Sequence, residues 1–501
     1  MKTLQVSENP KGLMREMMAE SPGLTCTVNT PALPITGNQR LVYLLLEVSG
    51  PAGSASLPVN LALVVDVSES MHFRLATEAQ FKELARMGML QEVLVDGVPA
   101  WQSAGVTQDT PKTGAEGLDE VMARLPRKID RVRDALWAVV EQLRPADRFA
   151  LVAFAGQAVT LIPNTAGADK RSLLNVVDRL DSLQLGDDTY IGRGMALGLE
   201  ELRPGLSPVE GPGLSPAEGR PTSGDLANRM LVLTDGFTLD EQACRAWATR
   251  ARQARIPIST MGLGGEFNEE LMIPIADQTG GEAYLLEDPE DIPAAFAQEL
   301  QRAQAVRYRN LELKLRPSQG VEVRAAYRVR PSIAPLETVN EGGSYGLTLG
   351  DLIAEEEPAL LLELIAPPRP AGVYRLAQAL LACDDPAGGL AGPKTRADVV
   401  VEYTPDPTRA AQVVPRVMHV VEALSAYKLQ RSARADLEAG DVAGATRKLR
   451  AAATRLLDMG EKELASEMQR QAAELEQHGQ TDPQRTKKLR YETRKLTQKL
   501  T

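Results

Sequence analysis

Three separated clusters of oxygen-bearing side chains carry the chemistry that this sequence offers, and each lies beside an apolar or helical run. The first is Asp66-Val-Ser68-Glu-Ser70, a D-x-S-x-S pattern directly after Leu61-Ala-Leu-Val-Val. The second is Gly186-Asp-Asp-Thr189, ahead of a helical pattern, and the third is Thr234-Asp235-Gly236 at the end of Met230-Leu-Val-Leu. Asp66, Ser68, Ser70, Thr189 and Asp235 are therefore the candidate ligands of a metal ion. Oxygen donors of this kind suit a hard divalent cation: magnesium, with manganese or calcium as substitutes. Because most of the donors are neutral hydroxyls, the ion stays electrophilic, and an outside carboxylate can complete its octahedron. Alone, D-x-S-x-S is a weak signal, expected by chance in about one chain in ten of this size. Its placement after a buried strand, with two companions at strand and helix ends, makes it specific.

The apparatus of catalysis is missing from the same residues. Phosphatases that begin on a strand-end aspartate use a second carboxylate two residues later, and here that position is Ser68. No G-x-x-x-x-G-K-[ST] run exists for a nucleotide phosphate. Gly192-Arg-Gly194 with Gly198 imitates a dinucleotide fingerprint, but it follows a loop and is one residue too long, so helix packing explains the glycines better. The histidines His72, His419 and His478 accompany no G-x-S-x-G elbow, and His72 is read as a surface or packing residue. The expectation is a protein that binds and catalyses nothing.

The elements that must position these residues follow from periodicity. From Val59 onward, short apolar runs (VNLALVV, DRFALVAF, RMLVLT, IPISTMGLG, EAYLL) alternate with helix-length segments such as KIDRVRDALWAVVEQL, which predicts a doubly wound parallel sheet over 59–303. Segments from 304 to 407 read as strands without helices between them, an antiparallel β-sandwich. The isolated run RLVYLLLEV near Arg40, within the N-terminal segment 1–58, is expected to join that sandwich, so the α/β domain is inserted into it. Residues 408–480 are helical, with Gly440-Asp441 as a stop and cap, and 481–501 form a basic tail. Two stretches interrupt the α/β pattern. Residues 72–127 are expected to be a small α+β insert with a hairpin turn at Asp96-Gly97, and 203–228, with its GLSPVEG and GLSPAEG duplication, a flexible loop.

The order D-x-S-x-S, then Thr, then T-D-G resembles the metal-ion-dependent adhesion site of von Willebrand factor A domains. The resemblance covers about Val59 to Ala303. It implies that Ser68, Ser70 and Thr189 ligate magnesium through hydroxyls, that Asp66 and Asp235 act directly or through water, and that a protein partner supplies an Asp or Glu. Bacterial proteins of this type often act beside AAA-type ATPases, so such an ATPase is a second expectation, with the helices and basic tail as the docking scaffold and the metal site as a switch. Two features depart from the family: Glu69 stands where Gly is common, and the insert begins beside the metal loop, where it is expected to shape or cover the site. Asp187 and Asp188 are read as solvated loop residues.

Composition sets the outer limits. For 501 residues about three units are expected, and the 43% hydrophobic and 25% charged fractions speak against wholesale disorder. A net charge of −11 makes nucleic acid or an anionic membrane an unsuitable partner. Neither a signal-peptide core nor a spanning segment is read in the sequence, so a cytoplasmic location is expected. Cys26, Cys244 and Cys383 are too far apart to suggest a motif and are expected to be reduced thiols.

Overall fold

The computed structural model describes residues 21–50, 57–73, 85–86, 90–95, 98–103, 126–202, 226–384 and 394–499. They fall into two compact units, one made of 58–218 and 228–301, the other of 1–57, 219–227 and 302–501.

The first unit is an α/β layer structure. Its strands run in the order Ala283–Leu286, Ile258–Leu263, Ala227–Thr234, Val59–Asp66, Arg148–Phe154, Ala158–Ala166. The last of these pairs antiparallel with its neighbour, while Ile258–Leu263 is parallel to both of its neighbours and Val59–Asp66 is parallel to Arg148–Phe154. Val59–Asp66 is buried at all eight positions, as a strand covered on both faces must be, which is why it reads as a continuous apolar run. Helix Lys128–Gln142 contributes Ile129, Val132, Leu136, Val139 and Val140 to the interior, the spacing of a single apolar stripe. From Val59–Asp66 the chain builds outward on one side, then returns to lay Ala227–Thr234 on the other. The carboxyl ends of these two strands therefore flank the topological switch point, where open sheets of this kind leave a crevice.

Within the insert, Leu90–Val95 and Val98–Ser103 pair antiparallel with Val95 opposite Val98, the two-residue connection expected at Asp96-Gly97. Most of the helix-like run before it, its disposition toward the metal loop, and the duplicated loop at 203–225 lie outside the described residues.

The second unit contains two sheets and a helical layer. One sheet orders Gly23–Val28, Arg40–Ser49, Ala359–Ala366, Glu322–Arg330 and Ala334–Pro335; the other orders Val339–Glu341, Ser344–Ile353, Val306–Pro317, Gly372–Asp384, Lys394–Thr404 and Ala32–Pro34. Alternate residues of Arg40–Ser49 explain its uninterrupted apolar character. Val42, Leu44, Leu46 and Val48, with Leu360 and Leu362, pack against the second sheet at residues such as Leu313, whereas Leu45 turns to the other side with Leu361, against Val417, Val421 and Leu424. The strand is buried on both faces.

Helices Pro415–Glu438, Val442–Asp458, Lys462–His478 and Pro483–Arg494 make the third layer. Gly440 takes φ 80° and the Asp441 carboxylate accepts the Gly444 N–H at 2.8 Å, the stop and cap read from sequence. The last helix starts at an Asp482 cap, and its Leu489 joins Leu496 in the core shared with Val329 and Ile333. The Ile333 N–H donates to the Arg494 carbonyl, and the Thr497 hydroxyl donates to the Val329 carbonyl. Within the basic tail, Leu489, Tyr491 and Leu496 are thus buried in their own unit, while Gln484, Arg485 and Lys488 stay exposed. Among the described residues no helix is long and apolar enough to cross a membrane.

Candidate metal centre

Four of the five candidate ligands, Asp66, Ser68, Ser70 and Asp235, are linked at the switch point, and the Thr189 hydroxyl lies near Gly236, next to Asp235. Strand Val59–Asp66 ends on Asp66, whose side chain is fully buried, and the chain turns into a 3₁₀ turn at Glu69–His72 that carries Ser70. The Asp66 carboxylate accepts the Ser68 N–H at 2.9 Å on one oxygen and the Thr234 hydroxyl at 2.7 Å on the other. That second bond ties the ends of the two central strands and places Asp235 beside Ser70. Ser70 Oγ donates to Asp235 Oδ1 at 2.7 Å and lies 3.1 Å from Ser68 Oγ.

Thr189 arrives from the loop before helix Ile191–Leu202. Its carbonyl accepts the Leu239 N–H at 3.0 Å and the Thr238 hydroxyl at 3.2 Å, so the loop is fastened to the segment that follows Asp235. Its own hydroxyl has no hydrogen-bond partner among the described residues and faces Gly236, where a Cβ would sit 4.0 Å from Thr189 Oγ1. Asp240 anchors the helix start: its Oδ1 accepts the Gly192 N–H at 3.1 Å and the Thr238 hydroxyl at 2.7 Å. Two glycines let this helix approach the sheet. A Cβ at Gly194 would lie 2.7 Å from Val64 and 2.8 Å from Phe154, and one at Gly198 2.8 Å from Met230 and Val64.

Electrostatics follow from burial. Asp66 is pushed up to about 6, chiefly because burial disfavours its charged form and next because Asp235 repels it, with the Ser68 and Thr234 hydrogen bonds working in the other direction. Asp235 is neutralised in part by Lys128, the first residue of helix Lys128–Gln142, whose Nζ lies 2.6 Å from Asp235 Oδ2 with both side chains largely out of water. Glu69, Asp187 and Asp188 are exposed and make no ion pair with another described residue.

The donor set fits a small divalent ion. Ligands at about 2.1 Å and right angles around magnesium are separated by ~3 Å, and the oxygens of Ser68, Ser70 and Asp235 are 3.1 and 2.7 Å apart in sequence. Three hydroxyls and one or two carboxylates can supply the protein's share of such a shell. Among the described residues no group of three or more His, Cys, Asp or Glu side chains gathers here or elsewhere, so hydroxyls would have to complete the shell.

Comparison with known proteins bears on the fold that holds these residues. Residues 122–298 match the model of the von Willebrand factor type A domain. The chain carries a von Willebrand factor type A domain. The match begins at residue 122, near the end of the insert, so the strand that bears Asp66 lies outside it, yet that strand sits centrally in the same sheet. Residues 415–499 match the Sll0103-like C-terminal alpha-helical domain, which covers all four helices of the second unit's third layer. The uncharacterized protein sll0103 of Synechocystis is 26% identical over 333 residues, 65% of this chain and 74% of that protein. Two solved structures share the fold along nearly the whole length at 16% identity. A von Willebrand factor type A protein from Catenulispora acidiphila has a TM-score of 0.68 over 96% of this chain and 98% of that one, and the ArnB paralog VWA2 from Sulfolobus acidocaldarius has 0.54 over 95% and 99%.

Around the candidate ligands of this von Willebrand factor type A domain, sequence reasoning missed four residues: Lys128, Thr234 as a partner of Asp66, Thr238 and Asp240. Lys128 sits at the boundary of the insert, where nothing in the local pattern marks it. Thr238 and Asp240 resemble a cap for the helix that follows them, but the helix they hold is the one that starts at Ile191, about 50 residues earlier.

Proposed function

We propose that the von Willebrand factor type A domain is a divalent-cation-dependent module for binding a protein partner, with Asp66, Ser68, Ser70, Thr189 and Asp235 holding the ion. The observation that carries this is the convergence of neutral hydroxyls and few carboxylates at one sheet edge, with the Thr189 hydroxyl uncommitted. A bound magnesium ion would supply an electrophilic position for an Asp or Glu oxygen of the partner.

Charge accounting supports this. Asp66 and Asp235 bring two negative charges and Lys128 returns one positive, so a divalent ion is left with a net charge of about +1 within the site. One carboxylate from outside balances it. Asp66, with each of its oxygens accepting a hydrogen bond, positions the loop, while Ser70 is oriented by Asp235. The reading is one of recognition and involves no bond making or breaking.

A magnesium and manganese titration by calorimetry, with thermal unfolding in parallel, tests it. Wild-type chain should bind one ion in this unit and gain about 2.7 kcal/mol of stability at a hundredfold excess over Kd, and Asp66→Ala should lose both effects. Lys128→Met, which removes the competing positive charge, should bind the ion about tenfold tighter. Equal binding by wild type and Asp66→Ala would rule out this site.

A further inference from the structure

Two of the three loops that carry candidate ligands also expose large apolar side chains, one beyond Ser70 and two beyond Asp235. Phe73, Phe237 and Leu239 are 56%, 64% and 66% exposed. They are fixed to the ligands through the backbone: the Phe73 N–H donates to the Ser70 carbonyl at 3.3 Å, the Leu239 N–H donates to the Thr189 carbonyl at 3.0 Å, and Phe237 follows Asp235 by two residues. Elsewhere in this unit the described residues expose one other large apolar side chain, Trp137, and its indole N–H is engaged by Asp178. Concentration of exposed apolar surface on the ligand loops marks a binding surface, since large apolar side chains left in water stabilise nothing in the free chain. Three carboxylates, Glu69, Asp187 and Asp188, stand on these loops without a cationic partner among the described residues.

Resting on the proposed function, we infer that the partner presents a single Asp or Glu flanked by large apolar side chains, and that acidic runs are rejected. The lone carboxylate meets the ion. Its apolar neighbours meet Phe73, Phe237 and Leu239, whose burial supplies the affinity that one ion contact lacks. Additional acids would face Glu69, Asp187 and Asp188, so repulsion discriminates against them. This separates the surface from a general acid receptor: the ion selects for one charge and the loops select for what lies beside it.

The test is selection of a displayed heptapeptide library, with Asp or Glu fixed at the centre and six random positions, on the full chain in magnesium, with EDTA elution. Apolar residues should be enriched next to the acid. A selected peptide should bind Phe237→Ser/Leu239→Ser, and separately Phe73→Ser, at least about tenfold more weakly, while calorimetry shows that each variant still binds the ion. Enrichment of acidic runs, flanks that are indifferent to these substitutions, or magnesium-dependent self-association of the chain in place of peptide binding would overturn the inference and leave the ion site standing. Ion binding with no EDTA-sensitive peptide would overturn both the inference and the proposed function.

Discussion

Asp66 is the residue on which the proposed metal site turns, and its environment makes it pH-sensitive in a direction that can be worked out. Its carboxyl group is held near 6 against an ordinary value of 3.8, so the native chain binds this proton more tightly than the unfolded chain does. The stabilising contribution is full below about 4 and is lost as the pH rises through 6, amounting to about 3 kcal/mol. A divalent ion needs the ionised form and competes with the proton. Magnesium affinity should therefore be flat above about pH 7 and fall toward tenfold per unit well below 6, as read by calorimetry between pH 5 and 7.5, with proton release visible in buffers of different ionisation enthalpy. Constant affinity across that range would take Asp66 out of the ion's surroundings. At this scale the sequence was informative because oxygen donors at strand ends carry their own signal: Asp66, Ser68, Ser70, Thr189 and Asp235 were all read from it, and hydrogen bonds connect Ser68, Ser70 and Asp235 while Thr234 ties Asp66 to the same strand end. Lys128 was illegible because a lysine at a helix start is commonplace, and its meeting with Asp235 depends on tertiary structure.

Among the elements, helix Ile191–Leu202 shows how packing and ligand position are coupled. Its glycines lie on the face against the sheet, which is the role that their spacing suggested over a nucleotide fingerprint. They are not equivalent, however. At Gly194 an added methyl meets branched Val64 and the ring of Phe154, neither of which can yield, whereas at Gly198 one of its two nearest neighbours is the flexible end of Met230. Gly194→Ala should destabilise the unit by about 1–2 kcal/mol after its gain in helix propensity, and Gly198→Ala by less, both read from urea unfolding. Because Thr189 lies two residues ahead of this helix, Gly194→Ala should also weaken the ion. Parallel strands were legible as elements because they are buried on both faces and therefore apolar throughout. What stayed hidden was the segment from Thr238 to Asp240 as an anchor, since a hydrogen bond to a helix 48 residues earlier leaves no periodic trace.

For the molecule as a whole, the sequence disclosed an α/β domain inserted in a sandwich, because strand RLVYLLLEV had no α/β partner. It was less clear about the C-terminus, where three apolar residues stand out in a basic run but nothing local says what they pack on: Leu489, Tyr491 and Leu496 are 2%, 4% and 2% exposed within this unit. Removing residues 481–501 should therefore cost the sandwich and helix unit several kcal/mol, on the order of 5 from these side chains, seen in calorimetry as a lowered transition while the other unit keeps its response to magnesium. An unchanged transition would mean that the last helix is dispensable. The pairing of strand Arg40–Ser49 with Ala359–Ala366, Leu44 opposite Leu362, has a consequence for synthesis. The ribosome must deliver roughly 300 further residues, on the order of 15–60 s of translation, before this doubly apolar strand, paired until then with Gly23–Val28 alone, meets its second neighbour, and in that interval the whole intervening α/β unit emerges. Early folding of that unit would bring the two ends of the sandwich together, and until then the nascent chain carries a sticky strand that must be kept from its own copies.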